Sequence, residues 1–146
     1  MSVTMAAPHA VRMSRSQIVW AFTLLVLVIA ALRALPLRVV LATTTYLNNR
    51  VLASASPDEA LAVVRATRHV AAWWPGRAAC LEISLTAAWL AALRGRTVTW
   101  CHGVQIHPYT FHAWVEADGL PVGEPTTTSS FLRTMTIPAW TPRSHP

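Results

Sequence analysis

The sequence predicts an α+β fold in which helices come first and an antiparallel sheet follows. Apolar residues recur with helical spacing over about the first two thirds of the chain, and from Thr97 onward the period changes to two. An Asp118-Gly119 pair then separates two short strands, as in a tight hairpin. The chain has 146 residues and is 53% hydrophobic, which is enough for a real core. Helices followed by strands are typical of α+β proteins.

Two helices are predicted in the N-terminal part of the chain. Residues 17–34 form an apolar helix, Pro36 interrupts it, and 37–52 continue as a less regular helix. The Ala-Ser-Ala-Ser-Pro run at 53–57 marks a boundary. Residues 1–55 are therefore predicted to be an N-terminal apolar helical region.

The apolar run within the first helix suggests contact with a membrane or a partner protein. Residues 18–32 are apolar apart from Thr23 and follow Arg12 and Arg15, as in a signal peptide. The small-residue cleavage pattern after them is poor, because Arg33, Pro36 and Arg38 interrupt it. The run is shorter than the roughly 20 residues of a spanning helix. We expect a buried or peripheral helix that could contact a partner or a membrane surface, and a membrane segment is the alternative.

Residues 56–146 are predicted to form the second region. Ser56 to Glu59 has the pattern of a capping box with proline at the first helical position, so a helix is expected over 57–71. A turn at 73–76 ends it, and a second helix over 80–93 stops before Gly95. Alternating strands are expected at 97–106, 110–116, 120–124 and 131–137.

Charge and cysteine usage narrow the function classes. The formal net charge is +6 and every basic residue is arginine, but the arginines are scattered and do not indicate nucleic-acid binding. Cys80 and Cys101 are too few for a disulfide framework and have no zinc-site spacing. Two unpaired thiols fit a reducing compartment, so the sequence predicts a cytoplasmic protein without a structural zinc site.

Cys80 and His112 are the candidate nucleophile and base. Cys80 opens a predicted helix, where free N–H groups and the helix dipole favour the thiolate and could stabilise an oxyanion. His112 lies on a predicted strand. Taken alone, a helical cysteine is more often a small buried hydrophobe and a strand histidine more often a core residue. Cys101 lies within a strand and is expected only to pack.

The acid that would orient His112 depends on the hairpin. A three-residue loop at 117–119 places Glu124 opposite His112, about 5 Å away on the same face. A two-residue turn at Asp118-Gly119 instead places Glu124 across from Ala113. Asp118 is the alternative acid, although six strand residues separate it from His112 by about 20 Å. Trp73, Trp74 and His107 are candidates for the substrate cleft or the oxyanion pocket.

Several segments in order resemble one enzyme family. Cys80-Leu-Glu-Ile-Ser-Leu is followed by His107-Pro, His112-Ala-Trp-Val-Glu, Asp118-Gly and Pro121-Val-Gly-Glu124. Over roughly residues 56–125 the chain resembles the stand-alone transglutaminase-like cysteine peptidases of lasso-peptide biosynthesis. The resemblance implies a transglutaminase-like, papain-like core in residues 56–146, with the nucleophile at a helix N-terminus.

The resemblance also implies an activity and partners. It implies removal of the leader from a ribosomally made precursor peptide, with a small leader-binding protein and an ATP-dependent cyclase as partners. Cys80 is then the nucleophile and His112 the base, and the resemblance implies no metal and no cofactor. The acid usually falls where Glu124 stands, most often as aspartate, so glutamate is a departure. Two alternatives are transglutaminase-type acyl transfer to an amine and a non-catalytic, membrane-associated interaction protein.

Overall fold

The computed structural model describes residues 13–142 and has four helices followed by a four-stranded antiparallel sheet. The elements are α1 (Arg15–Ala34), α2 (Leu37–Arg50), α3 (Pro57–Ala71), α4 (Cys80–Leu93), β1 (Thr99–Gln105), β2 (Thr110–Ala117), β3 (Leu120–Pro121) and β4 (Leu132–Ile137). The α+β prediction is confirmed. Residues 126–130, between β3 and β4, form a short 3-10 helix.

Side-chain caps explain where two of the helices begin. The Ser56 hydroxyl accepts from the Glu59 N–H at 3.2 Å, and the Glu59 carboxylate accepts from the Ser56 N–H at 2.9 Å, which completes the predicted capping box of α3. At α4 the preceding residue is Ala79, which has no capping side chain. Glu82 accepts from the Ala79 N–H at 3.0 Å, so this end is capped from inside the helix only.

Helix α1 packs one face into the core. Ala21, Leu25, Val28 and Ile29 are buried against α3 and α4, so residues 13–55 share one hydrophobic core with the residues described after them. The predicted division at residue 55 stays a prediction. α1 is also longer than the 15-residue apolar run. Its 20 residues make it, within residues 13–142, the one helix long and apolar enough to span a membrane, so the argument that it is too short was wrong.

The sheet order is β3-β2-β1-β4, so β1 and β2 are central. Gly103 of β1 pairs with His112 of β2, and a Cβ at Gly103 would lie 2.7 Å from the Leu132 carbonyl oxygen and 2.9 Å from the Trp114 ring. Glycine is therefore needed where the three strands approach each other. Helix α4 packs against β1 and β2, and helix α3 packs against β2.

The hairpin between β2 and β3 has the two-residue turn. Glu116 pairs with Pro121 and Ala117 with Leu120, and both turn residues have positive φ, 52° at Asp118 and 76° at Gly119. Asp-Gly suits such a turn because glycine and aspartate tolerate that region. The three-residue loop, on which Glu124 was placed opposite His112, was therefore the wrong alternative.

Candidate active site

Cys80 is the first residue of α4 and is half-buried. Hydrogen bonding with the His112 side chain is the largest cause that lowers the pKa of the Cys80 thiol. Backbone N–H groups of Ala113 and Leu81 also stabilise the thiolate, while burial opposes the shift. The sequence argument for a nucleophile at a helix start thus corresponds to a thiol that has N–H groups directed at it.

His112 lies between the thiol and a carboxylate. Its Nε2 is 2.8 Å from Glu124 Oε2, which leaves Nδ1 as the ring nitrogen available to Cys80. The ring stacks on Trp114, with centroids 5.8 Å apart and planes at 19°, and contacts Phe131 at 5.5 Å. The hydrogen bond and the aromatic neighbours together restrict the rotation of the imidazole.

The pKa values of Cys80 and His112 shift in opposite directions. The hydrogen bond to Cys80 is the largest cause that raises the pKa of His112 to about 9, followed by the hydrogen bond to Glu124, against the opposing effect of burial. Because the pKa of the thiol is lowered by the same contact, a thiolate–imidazolium pair is favoured over two neutral groups. That charge state is the reactive one for a cysteine nucleophile.

Glu124 reaches His112 by a route that strand pairing did not predict. The Val122 N–H still donates to the Val115 carbonyl at 3.0 Å, as the two-residue register requires. Gly123 then adopts a φ of 65°, which ends the pairing and redirects the chain. The Glu124 side chain is 7% exposed beneath the imidazole. Asp118, the alternative acid, lies in the exposed turn and makes no contact with His112 among the described hydrogen bonds and ion pairs.

Arg68 is a site residue that the sequence reasoning missed. Its Nη2 donates to Glu124 Oε1 at 2.7 Å, and its Nη1 donates to the Gly123 carbonyl oxygen. Arg68 lies one turn after Val64 on α3, and both side chains line the cavity beside Cys80. The sequence signal that could have indicated Arg68 is its position one turn after the buried Val64, because this places a charge at the edge of the apolar face of α3.

A cavity of about 220 Å³ opens beside Cys80, between α3, α4 and β2. Arg68, Cys80, Ser84, His112 and Glu124 provide the polar groups of its lining, and the other lining residues are apolar or aromatic. The lining residues are Val64, Arg68, Cys80, Ile83, Ser84, Ala87, His112, Ala113, Trp114, Val115 and Glu124.

The other predicted cleft residues lie elsewhere. Trp73 is 70% exposed and contacts His69, Trp74 packs against Phe22, and His107 precedes Pro108 in the exposed β1–β2 connection. None of the three lines the cavity at Cys80. Backbone N–H groups at the start of α4 are better candidates for the oxyanion donors, because that of Leu81 stabilises the Cys80 thiolate and lowers the pKa of the thiol.

Cys101 differs from Cys80 in every respect that controls reactivity. It is fully buried within β1, and burial, with the nearby Glu116 charge, raises its pKa to about 11. Within residues 13–142, no cluster of three His, Cys, Asp or Glu side chains is placed to hold a metal ion.

The sequence pattern of the Transglutaminase-like superfamily matches residues 24–136, which include α2, α3, α4, the first three strands and all of β4 except Ile137. The matched segment also includes the second half of α1 and thus begins well before residue 56. No curated protein and no solved structure matches the chain.

Proposed function

Since the chain belongs to the transglutaminase-like superfamily, which includes cysteine peptidases and acyltransferases, we propose that it is a cysteine peptidase that removes the leader from a lasso-peptide precursor. The observation that carries the catalytic part is the continuous set of contacts from Cys80 through His112 to Glu124 along one cavity. Each group has the chemistry that its position in a nucleophile–base–acid triad requires.

The first step begins from the thiolate–imidazolium pair. The Cys80 sulphur attacks the carbonyl carbon of the last leader residue, and the negative charge develops on the carbonyl oxygen. N–H groups at the start of α4 can stabilise that oxygen. The C–N bond then breaks as His112 gives its proton to the departing nitrogen, so the core peptide leaves with a free amine and the leader stays on Cys80 as a thioester.

The second step restores the enzyme. Neutral His112 takes a proton from water as the water oxygen attacks the thioester carbonyl. The C–S bond then breaks, which returns Cys80 as the thiolate beside the imidazolium, and the leader leaves as a carboxylic acid that ionises in solution. Glu124 holds the imidazole through Nε2 in both steps and stabilises its charged form. The cycle needs only the side chains of the site and water.

The lasso-peptide assignment rests on the order of short segments in the sequence. Cys80-Leu-Glu-Ile-Ser-Leu and His112-Ala-Trp-Val-Glu, with their separation, resemble the stand-alone leader peptidases of that pathway. We propose that a small leader-binding protein delivers the precursor peptide and that a separate ATP-dependent cyclase closes the ring. These reactions would take place in the cytoplasm.

The test is incubation of the full chain with a candidate precursor peptide and its leader-binding protein, with products identified by mass spectrometry. Cleavage at the leader–core junction by the wild-type chain and none by Cys80→Ala is expected. Cys101→Ala is the matched control, since it also removes a thiol but should keep activity. Cleavage that survives Cys80→Ala would refute the peptidase assignment.

The same assay separates the alternative functions. With a primary amine added, a transglutaminase-type acyl transferase would attach the leader to the amine, whereas a peptidase gives mainly the free acid. No cleavage and no amine product with any precursor would favour a non-catalytic interaction protein.

A further inference from the structure

Helix α1 is apolar on the side that faces away from the core as well as on its core face. The outward residues are large and exposed, by 38% to 61%. The large apolar residues of this outer face of α1 are Val19, Trp20, Phe22, Val26 and Leu27, and the smaller Thr23 and Ala30 are exposed among them. Single exposed apolar residues are ordinary, but a cluster of large ones on one helix face marks a binding surface for a membrane or another protein.

The outer face continues onto the neighbouring helix. Trp20 and Leu93, which is 54% exposed at the end of α4, line one shallow depression with Leu90 and Arg94. The surface thus combines an indole, aliphatic side chains and a guanidinium group in one place. Trp and Arg side chains beside an apolar stripe are typical of segments at a membrane–water interface.

Charge in the N-terminal segment that contains α1 has one sign only. Residues 1–57 contain five arginines and neither aspartate nor glutamate. Arg15, Arg33 and Arg38 lie at the ends of α1 and the start of α2, and within residues 13–142 none of them forms an ion pair. This positive field is complementary to anionic lipid headgroups.

We propose that the outer face of α1 docks the protein on the surface of a membrane that contains anionic lipid. α1 lies on that surface and does not cross it, because its opposite face is buried against α3 and α4 and would lose those contacts if the helix crossed. Anionic lipid is favoured over a neutral protein surface as the binding partner, because Arg15, Arg33 and Arg38 form no ion pair within residues 13–142 and are available to headgroups. The inference is independent of the peptidase activity and goes beyond it.

Co-sedimentation of the full chain with vesicles tests the proposal. We expect binding to vesicles of equal parts phosphatidylcholine and phosphatidylserine, weak binding to phosphatidylcholine alone, and release from the anionic vesicles by high salt. Release by salt also distinguishes a docked helix from a spanning one, which salt would not extract.

Two substitutions provide a matched comparison. Leu27→Glu on the outer face should weaken vesicle binding at least about tenfold, because it removes an apolar contact and adds a negative charge. Leu120→Glu makes the same change at a site on the β2–β3 hairpin that is even more exposed, 68% against 53%, and should change binding less than about twofold. Arg33→Gln with Arg38→Gln should weaken binding about tenfold and reduce its salt dependence.

Three results would overturn the proposal. The first is equal binding to both kinds of vesicle, and the second is equal loss with Leu120→Glu. The third is a wild-type chain that ignores vesicles but binds a leader-binding protein, with that binding lost in Leu27→Glu. In the third case the outer face of α1 is a protein interface.

Discussion

Cys80 should be alkylated by iodoacetamide at neutral pH much faster than Cys101 in the same molecule. The thiolate is the species that reacts, so the ratio depends first on ionisation. Contacts with His112 hold the pKa of Cys80 below its ordinary value of 9.0, whereas burial raises that of Cys101 to about 11.

The size of the difference can be bounded from these two limits. A thiol with a pKa of about 11 is ionised in roughly one molecule in 10⁴ at pH 7, and one with a pKa of 9.0 in roughly one in 10². Ionisation therefore favours Cys80 by at least about 100-fold. The less basic Cys80 thiolate is also the weaker nucleophile, by about tenfold for this difference in pKa. Cys80 should therefore still be alkylated at least about ten times faster than Cys101. Complete burial of Cys101 increases the ratio further.

The assay is timed alkylation at pH 7 followed by digestion and mass spectrometry, so each molecule contains its own reference thiol. His112→Gln should slow the labelling of Cys80, because the largest cause of its lowered pKa is removed. Labelling of Cys101 should stay unchanged. Equal labelling rates for the two cysteines, or no effect of His112→Gln, would refute the activated-thiolate argument.

The remaining predictions concern the acid, the glycine that positions it and the capping of α3. Peptidase activity should fall as pH rises through about 9, where His112 loses its proton, and Glu124→Gln should move that fall to lower pH, since Glu124 raises the pKa of His112; an unmoved alkaline limb in the pH–rate profile would contradict this. Gly123→Ala should cost about 1–2 kcal/mol in denaturant unfolding and lower activity, because alanine is strained at a φ of 65° and its Cβ would lie 3.2 Å from Val64. Gly95→Ala, at a φ of 73° with no atom within 4 Å, is the control: it should show the strain alone, and loss of activity there too would contradict the positioning argument. Ser56→Ala should cost about 1 kcal/mol of stability with activity unchanged, and an unchanged unfolding midpoint would show that the α3 cap contributes nothing.

Local signals in the sequence were sufficient for the helices and most strands. The capping box at Ser56 and the glycine at Gly95 predicted the bounds of α3 and α4 because both act within a few residues of the helix end. The exception was the returning strand, predicted over 120–124 and present as a ladder only at Leu120–Pro121. Nothing local distinguishes a glycine that continues a strand from one that turns out of it.

The contact between His112 and Glu124 was anticipated through a loop that the chain does not have. Pairing in the two-residue register puts Glu124 level with Ala113, and only the bend at Gly123 brings its carboxylate to the imidazole. The partner of Arg68 could not be predicted from the sequence for a different reason. That partner is 56 residues away in sequence, so only the packing of α3 against the hairpin brings the two side chains together.

Arg68 also explains how glutamate can stand where the peptidases that the sequence resembles most often have aspartate. The extra methylene gives the carboxylate an additional rotatable bond, which would loosen its hold on His112. Here both oxygens are held, Oε1 by Arg68 and Oε2 by His112, while the second Arg68 nitrogen holds the carbonyl of Gly123. Because the Arg68 side chain is 43% exposed, the ion pair itself contributes little to stability. Its effect is geometric: a longer acid, a bent backbone and one arginine together place a carboxylate where a shorter acid on a regular strand would not reach.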